Sequence, residues 1–210
     1  THRYTGGTDP RGNPLPTATY YADGRLESVT NALSQTTSYT YDLAAHTTVT
    51  TFPDTGVQTV QYDAYGMPLT VTDPLNHTTT NVYDTDHNLI STTDPLNHTT
   101  TYEYDANGNI TQRSTPAGTV AYAYDSLNRL VSVTDTSGKV TAYQYDANGN
   151  RIKTTLHNGT EADYSYDALN HLTKVEHRLT ATGAVIRGYA YTLKPNGQRA
   201  QVQEYDAAGT

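Results

Sequence analysis

The chain of 210 residues contains no cysteine and no tryptophan, and only one methionine and one phenylalanine. Without cysteine there is no disulfide framework, no thiol nucleophile and no thiolate metal ligand. Apolar residues make up 35% of the chain, against roughly 45–50% in an ordinary globular domain, so a large conventional core is not available. No run approaches the ~20 apolar residues of a membrane-spanning helix. Basic residues are also few: 13 Lys and Arg face 21 Asp and Glu, for a net charge of −8. With no basic stripe to neutralise phosphates, a nucleic-acid surface is excluded. No His-Glu-x-x-His, Gly-x-Ser-x-Gly, phosphate loop or dinucleotide fingerprint occurs. The chain opens at Thr1 without an initiator Met or a signal peptide and reads as a piece of something longer.

Threonine and tyrosine fill the gap, with 40 and 19 copies. Both suit a pleated, half-wet surface. The many aromatics and modest charge argue against disorder. The tyrosines are also periodic. Tyr20, Tyr41, Tyr62, Tyr83, Tyr104, Tyr124, Tyr145 and Tyr166 are separated by 21, 21, 21, 21, 20, 21 and 21 residues. From Tyr41 onward each opens a Tyr-Asp pair, completed by Asp42, Asp63, Asp84, Asp105, Asp125, Asp146 and Asp167. A late pair, Tyr205-Asp206, follows an irregular stretch. A fixed period near twenty residues marks a repeat architecture in which each unit buries its surface against its neighbours. Function then belongs to the array and not to one pocket.

One unit, Thr141 to Thr160, shows the grammar. Tyr143 and Tyr145 alternate with Ala142 and Gln144, so both rings fall on one face of a strand. The turn Asp146-Ala147-Asn148-Gly149-Asn150 follows, and Asn-Gly signals a hairpin because both residues tolerate positive φ. Gly108 holds the same place after Tyr104-Asp105. Arg151 to Leu156 resumes a strand and His157-Asn158-Gly159 turns again. A second turn recurs as Asp-Pro-Leu-Asn-His-Thr-Thr at 73–79 and 94–100, where Pro74 and Pro95 preset φ and Asn76 and Asn97 supply a left-handed residue.

No stretch has a helical period. The expected fold is all-β: a repetitive antiparallel meander of roughly 18–20 strands, forming a ribbon that curls or spirals because long open sheets do not stay flat. The expected organisation is a partial repeat over 1–19, the array over 20–172, and an irregular longer hairpin with a last partial repeat over 173–210.

Equivalent aspartates two strands apart lie ~10 Å from one another along such a ribbon, too far to share an ion. Their expected task is to accept backbone N–H groups in the following turn. The same spacing separates His77 from His98. No catalytic, cofactor or metal residues are therefore expected; Tyr41 to Asp167, with Gly108 and Gly149, are expected to define the repeat. The tyrosine ladder reads as cross-strand packing, or as a platform for sugar rings.

The run Tyr-Asp-Ala-Asn-Gly-Asn-Arg (Tyr145 to Arg151), with Asp135, Gly138 and Thr141 upstream, resembles the Rhs or YD repeat. The family includes bacterial polymorphic Rhs toxins, insecticidal toxin complexes, wall-associated proteins and animal teneurins. The resemblance implies hairpin ribbons spiralling into a hollow shell, which in the toxin members encloses a C-terminal effector, and a secreted or cell-surface location. The family's Asp-Pro-x-Gly-Leu-like processing segment is not matched here. Asp73-Pro74 and Asp94-Pro95 are followed by Leu-Asn, and Asp9-Pro10 by Arg-Gly.

The expected function is a non-enzymatic shell segment, partnered by the rest of its parent chain or by an enclosed domain. A glycan- or cell-surface-binding module, or self-association through open edge strands, are the other readings. The stretch 173–200 is expected to form a hairpin with longer strands and a projecting tip at Thr180-Ala181-Thr182-Gly183.

Overall fold

The computed structural model describes residues 3–208. Thr1, His2, Gly209 and Thr210, which fall within the expected end segments 1–19 and 173–210, lie outside the described residues. Every element among the described residues is a strand. The first nine are β1 (Thr17–Tyr20), β2 (Leu26–Thr30), β3 (Thr36–Asp42), β4 (Thr47–Thr51), β5 (Val57–Tyr62), β6 (Pro68–Thr72), β7 (Thr78–Tyr83), β8 (Leu89–Thr93) and β9 (Thr99–Tyr104). The second nine are β10 (Ile110–Thr115), β11 (Gly118–Tyr124), β12 (Leu130–Thr134), β13 (Val140–Tyr145), β14 (Arg151–Thr155), β15 (Thr160–Tyr166), β16 (Leu172–Leu179), β17 (Val185–Leu193) and β18 (Arg199–Tyr205). The fold is the all-β antiparallel meander that the period demands.

Residue contacts divide the chain into two compact units, Thr1–Thr101 and Tyr102–Thr210, with the boundary inside β9. In the first unit, β1 to β9 pair consecutively and antiparallel. In the second, β10 to β18 do the same.

Neither unit has a core in the usual sense. Ala18 and Ala162 are the buried hydrophobic residues, and no large side chain is fully buried among the described residues. Tyrosine, valine, leucine and threonine are instead half-buried along the strands. Stability comes from ladders and same-face neighbours rather than from a second layer.

Most hairpins turn in the same way. The first residue donates its N–H to the carbonyl four residues on, and the fourth donates back to the first, as in Asp105 N to Asn109 O and Gly108 N to Asp105 O, both 3.0 Å. The fourth residue is left-handed: Gly108 has φ 82° and Gly149 φ 88°. This corrects the sequence expectation for Asn-Gly. Asn107 and Asn148 are not among the positive-φ residues, so only the glycine is left-handed. The aspartate accounts for the difference, because its carboxylate accepts the Asn107 or Asn148 N–H and fixes the turn ahead of the glycine. The result is a turn followed by a bulge and not a two-residue hairpin. Asn76, Asn97, Asn128 and Asn170 fill the left-handed slot elsewhere with φ 59–64°.

The single 20-residue interval has a local cause. Between β10 and β11, Thr115 pairs directly with Gly118, leaving only Pro116 and Ala117 as the turn. In the equivalent turn between β8 and β9, Thr93 pairs with Thr99 across five residues.

The stretch from 173 differs from expectation in two ways. Its strands do lengthen, to 8 residues in β16 and 9 in β17. At the base of the tip, Thr180 donates its N–H at 3.0 Å and its hydroxyl at 2.9 Å to the Gly159 carbonyl of the neighbouring turn, a contact the sequence did not suggest. The register also shows that Leu193, opposite Arg199, stands where Tyr145 stands opposite Arg151. Leu193-Lys194 therefore replaces Tyr-Asp in this unit. Tyr205-Asp206 ends an after-turn strand and belongs to the other series of turns. With period-2 alternation, Tyr205 emerges on the face opposite the other repeat tyrosines.

Candidate functional site

The repeated residues form two coupled ladders. In the turns, one carboxylate oxygen of each aspartate accepts two backbone N–H groups, two and four residues on. The pairs are Tyr65 and Met67 on Asp63 (2.8 and 2.9 Å), Asp86 and Asn88 on Asp84 (2.9 and 2.8 Å), and Asn107 and Asn109 on Asp105 (both 2.9 Å). Asp125, Asp146 and Asp167 repeat the pattern. Asp42 sits before a longer loop and accepts from Ala44 and Ala45 instead.

The residue four places after the aspartate completes the motif. Its side chain donates to the carboxylate: Asn88 to Asp84, Asn109 to Asp105, Arg129 to Asp125 and Asn150 to Asp146. The rings of His77, His98 and His171 lie 3.0–3.1 Å from Asp73, Asp94 and Asp167 in the same relation. The side-chain bond from Asn88, Asn109 or Asn150 is the main cause that holds Asp84, Asp105 and Asp146 below the usual carboxylate range. At Asp125 and Asp167 the backbone N–H of the same position leads. Sequence reading missed this partner, although the spacing Asp-x-x-x-(Asn/His/Arg) was visible.

On the strands, Tyr62, Tyr83, Tyr124, Tyr145 and Tyr166 each stand at a bulge where the ladder ends. The β12–β13 register stops at Ser132 and Ala142, leaving Leu130 short of a ladder partner on β13. The Tyr145 hydroxyl donates to the Leu130 carbonyl at 2.8 Å. Tyr41 reaches Leu26, Tyr83 reaches Pro68, Tyr124 reaches Ile110 and Tyr166 reaches Arg151 in the same manner, at 2.9–3.2 Å. Tyr62 donates its backbone N–H to His46, and Tyr104 is half-buried at the end of β9. These hydroxyls serve the protein's own backbone, so packing takes up much of the polar capacity that a sugar platform would need.

Arginines join one repeat to the next. Arg129 stands 4.8 Å over the Tyr145 ring and donates to the Asp146 carbonyl at 2.9 Å. Arg25 lies 4.7 Å over Tyr41, and Arg151 4.9 Å over Tyr164.

The face opposite the tyrosines differs between the units. In the first it carries hydroxyl pairs: Thr19 with Ser28, Thr30 with Thr36, Thr72 with Thr78 and Thr93 with Thr99, at 2.8–3.0 Å. In the second it carries one such pair, Ser114 with Thr119 at 2.8 Å, and an ionic cluster. Lys153 bridges Glu161 (2.9 Å) and Asp163 (3.2 Å), Lys174 meets Glu176 (2.8 Å), and Arg178 meets Glu176 (2.6 Å) and Asp163 (3.1 Å). Tyr205 lies over Gly188 and donates to Glu176 at 2.9 Å. Glu176 is only 8% exposed. Burial would raise its pKa, but hydrogen bonds from Lys174, Arg178 and Tyr205 outweigh this and hold it at about 2.

Among the described residues, no group of three or more His, Cys, Asp or Glu is placed to hold a metal ion, and no helix is long and apolar enough to cross a membrane. The geometry is that of a hairpin-repeat protein whose hairpins are held by turn aspartates and tyrosine hydroxyls, with arginines added at Tyr41, Tyr145 and Tyr164. The RHS Repeat family model matches residues 83–120, 124–156 and 146–184, and these residues are Rhs/YD repeats.

The search of curated proteins gives no match. Solved structures share the fold. A crystal structure of TcdB2-TccC3-TEV is 15% identical with a TM-score of 0.72, over 93% of this chain and 12% of that one. TcdB2-TccC3 without its hypervariable C-terminal region is 17% identical with a TM-score of 0.53, over 90% and 14%. The Photorhabdus luminescens Tc holotoxin pore is 21% identical with a TM-score of 0.51, over 90% and 10%. This chain thus spans about an eighth of the first of these.

Proposed function

We propose that this chain is a non-enzymatic wall segment of a larger Rhs-type protein, scaffolding and enclosing an associated toxin-type domain. One observation carries the reading: an array of consecutive hairpins with almost no buried hydrophobic residues. Such a sheet has no inner layer of its own, and surface on both faces suits a wall better than a pocket. The fold shared with chains some eightfold longer supports the same view. The repeat-defining role belongs to the Tyr-Asp pairs with Gly108 and Gly149. Partners are the remainder of the parent chain and the enclosed domain. We infer a location outside the cytoplasm, secreted or at the bacterial surface, a reading that the family resemblance supports.

Limited proteolysis of the parent protein tests this. The enclosed domain should resist cleavage while the ribbon is intact. It should become sensitive when ten residues are removed from one repeat, which reverses the pairing of every later strand. A domain cleaved equally fast in both forms would end the proposal.

A further inference from the structure

Four turns present an Asn-Gly pair to solvent: Asn107-Gly108, Asn148-Gly149, Asn158-Gly159 and Asn196-Gly197. Asparagine before glycine is open to attack on its own side chain, because no Cβ shields the next backbone nitrogen. The four pairs share this local chemistry but stand in different surroundings. Asn107 and Asn148 follow Asp105 and Asp146, whose carboxylates accept their backbone N–H groups at 2.9 Å. A fixed negative charge beside the amide opposes the anion that attack creates. The Asn148 side-chain nitrogen is also held, donating to Asn170 at 3.1 Å.

The turn Leu156–Thr160 differs at each point. Leu156 takes the place of the aspartate, so that carboxylate is missing. Asn158 instead receives two donors on its own Oδ1, the Thr160 N–H at 3.1 Å and the Thr160 hydroxyl at 2.7 Å. These polarise the amide and sit where negative charge develops when its carbon is attacked. The adjoining peptide is polarised from its other end. The Gly159 carbonyl accepts the N–H and hydroxyl of Thr180 at 3.0 and 2.9 Å, which strengthens the Thr160 N–H as a donor. The attacking nitrogen is also the least engaged of the four. Gly159 N lies 3.3 Å from the Leu156 carbonyl, against 3.0, 3.2 and 2.9 Å for the same bond at Gly108, Gly149 and Gly197. At Asn196 one donor, the Gln198 N–H at 3.1 Å, faces Oδ1, and the His171 ring packs against Gly197.

We propose that Asn158 is a self-modification site, where the folded chain converts asparagine to aspartate and isoaspartate ahead of its other Asn-Gly pairs. The Gly159 nitrogen adds to Cγ of Asn158 while its proton passes through water to the side-chain nitrogen. The bond from Cγ to that nitrogen breaks, ammonia leaves, and a cyclic imide remains. Water then opens the imide at one carbonyl or the other. The isoaspartate product routes the main chain through the former side chain and adds a methylene to the turn. The Gly159 carbonyl is displaced and Thr180 loses its acceptor, so the modification is a one-way release of the base of the β16–β17 tip.

Peptide mapping by mass spectrometry tests this on the 210-residue chain, held for days in mildly alkaline water enriched in heavy oxygen, so that each opened imide carries the label. Label should accumulate at Asn158 about fivefold faster than at Asn107 or Asn148, the effect of one or two exposed hydrogen bonds. The same chain unfolded in urea should label all four sites at nearly equal rates. Thr160→Val removes the hydroxyl donor and should slow Asn158 about threefold, while Asn107 and Asn148 in the same molecule keep their rates. Leu156→Asp should bring Asn158 down to the rate of Asn107. In the converted chain, amide exchange at Thr180 should quicken. The proposal is overturned if Asn107 or Asn148 labels as fast as Asn158 in the folded chain, if the preference persists in urea, or if Thr160→Val leaves it in place. Unchanged exchange at Thr180 after conversion would overturn the release.

Discussion

The two units share one turn grammar and one tyrosine face, yet the opposite face is held together by different chemistry. In the first unit neutral Thr and Ser hydroxyls pair across hairpins. In the second, three cations and three anions interlock around Glu176, with Tyr205 laid over Gly188. Hydroxyl pairs are individually weak, and each stands alone. An ionic cluster is cooperative: Asp163 faces Glu176 directly in the ladder, a repulsion that Lys153, Lys174 and Arg178 relieve. The first unit should therefore lose stability in small local steps, and the second in larger shared ones.

The largest effect should follow from Gly188→Val. A Cβ at Gly188 would stand 2.3 Å from the Tyr205 ring. The ring must leave, uncovering Glu176 and loosening β18, at a cost of about 3 kcal/mol. Urea titration followed by NMR signals of β16–β18 measures it; an unchanged midpoint would show that Tyr205 contributes nothing.

Acid should separate the units next. Glu176 sits at about 2 against an ordinary 4.5. Its contribution, on the order of 2–3 kcal/mol, is complete above pH 4.5 and lost as pH falls towards 2. The turn aspartates are depressed in both units, for example Asp84 and Asp146, and weaken both alike. Thermal melts at pH 6 and pH 3, read from amide signals of β6 and β16, should show the larger drop in β16. Glu176→Gln should remove the difference.

Backbone strain should cost the same in both units, which confines the contrast to the face. Gly66 and Gly149 have φ 87° and 88° with open space beyond them. Valine at either should cost about 1–3 kcal/mol through φ alone, seen as faster hydrogen exchange around Tyr62 or around Tyr145 and Ile152. A difference above about 1 kcal/mol between the two sites would mean that the turns are not equivalent.

The smallest effect belongs to the hydroxyl pairs. Replacing Thr72 and Thr78 together by valine removes both partners and should change stability by less than about 0.5 kcal/mol. Lys153→Met, which strands Glu161 and leaves Asp163 only its pair with Arg178, should cost roughly 1–2 kcal/mol. Equal effects in denaturant titrations would erase the distinction between the faces.

Much of the fold was legible because its determinants are local. Asp105, Gly108 and the Tyr102/Tyr104 alternation each act within a few residues, and repetition multiplied a weak signal. The ring contact of Tyr65 with His87 was not legible: they are 22 residues apart and meet because consecutive turns stand side by side.

The amino-acid sequence by itself determined the strand class, the period, the turn positions and which tyrosines share a face. These depend on φ preferences and period-2 alternation, which need no partner beyond the next few residues. Tertiary pairing decided the rest. It assigned Leu193 to the tyrosine slot, sent Tyr205 to the opposite face, and gathered Lys153, Asp163, Glu176 and Arg178 from three strands into one cluster. Each of these depends on register between strands, and a shift of one residue would turn every side chain to the other face.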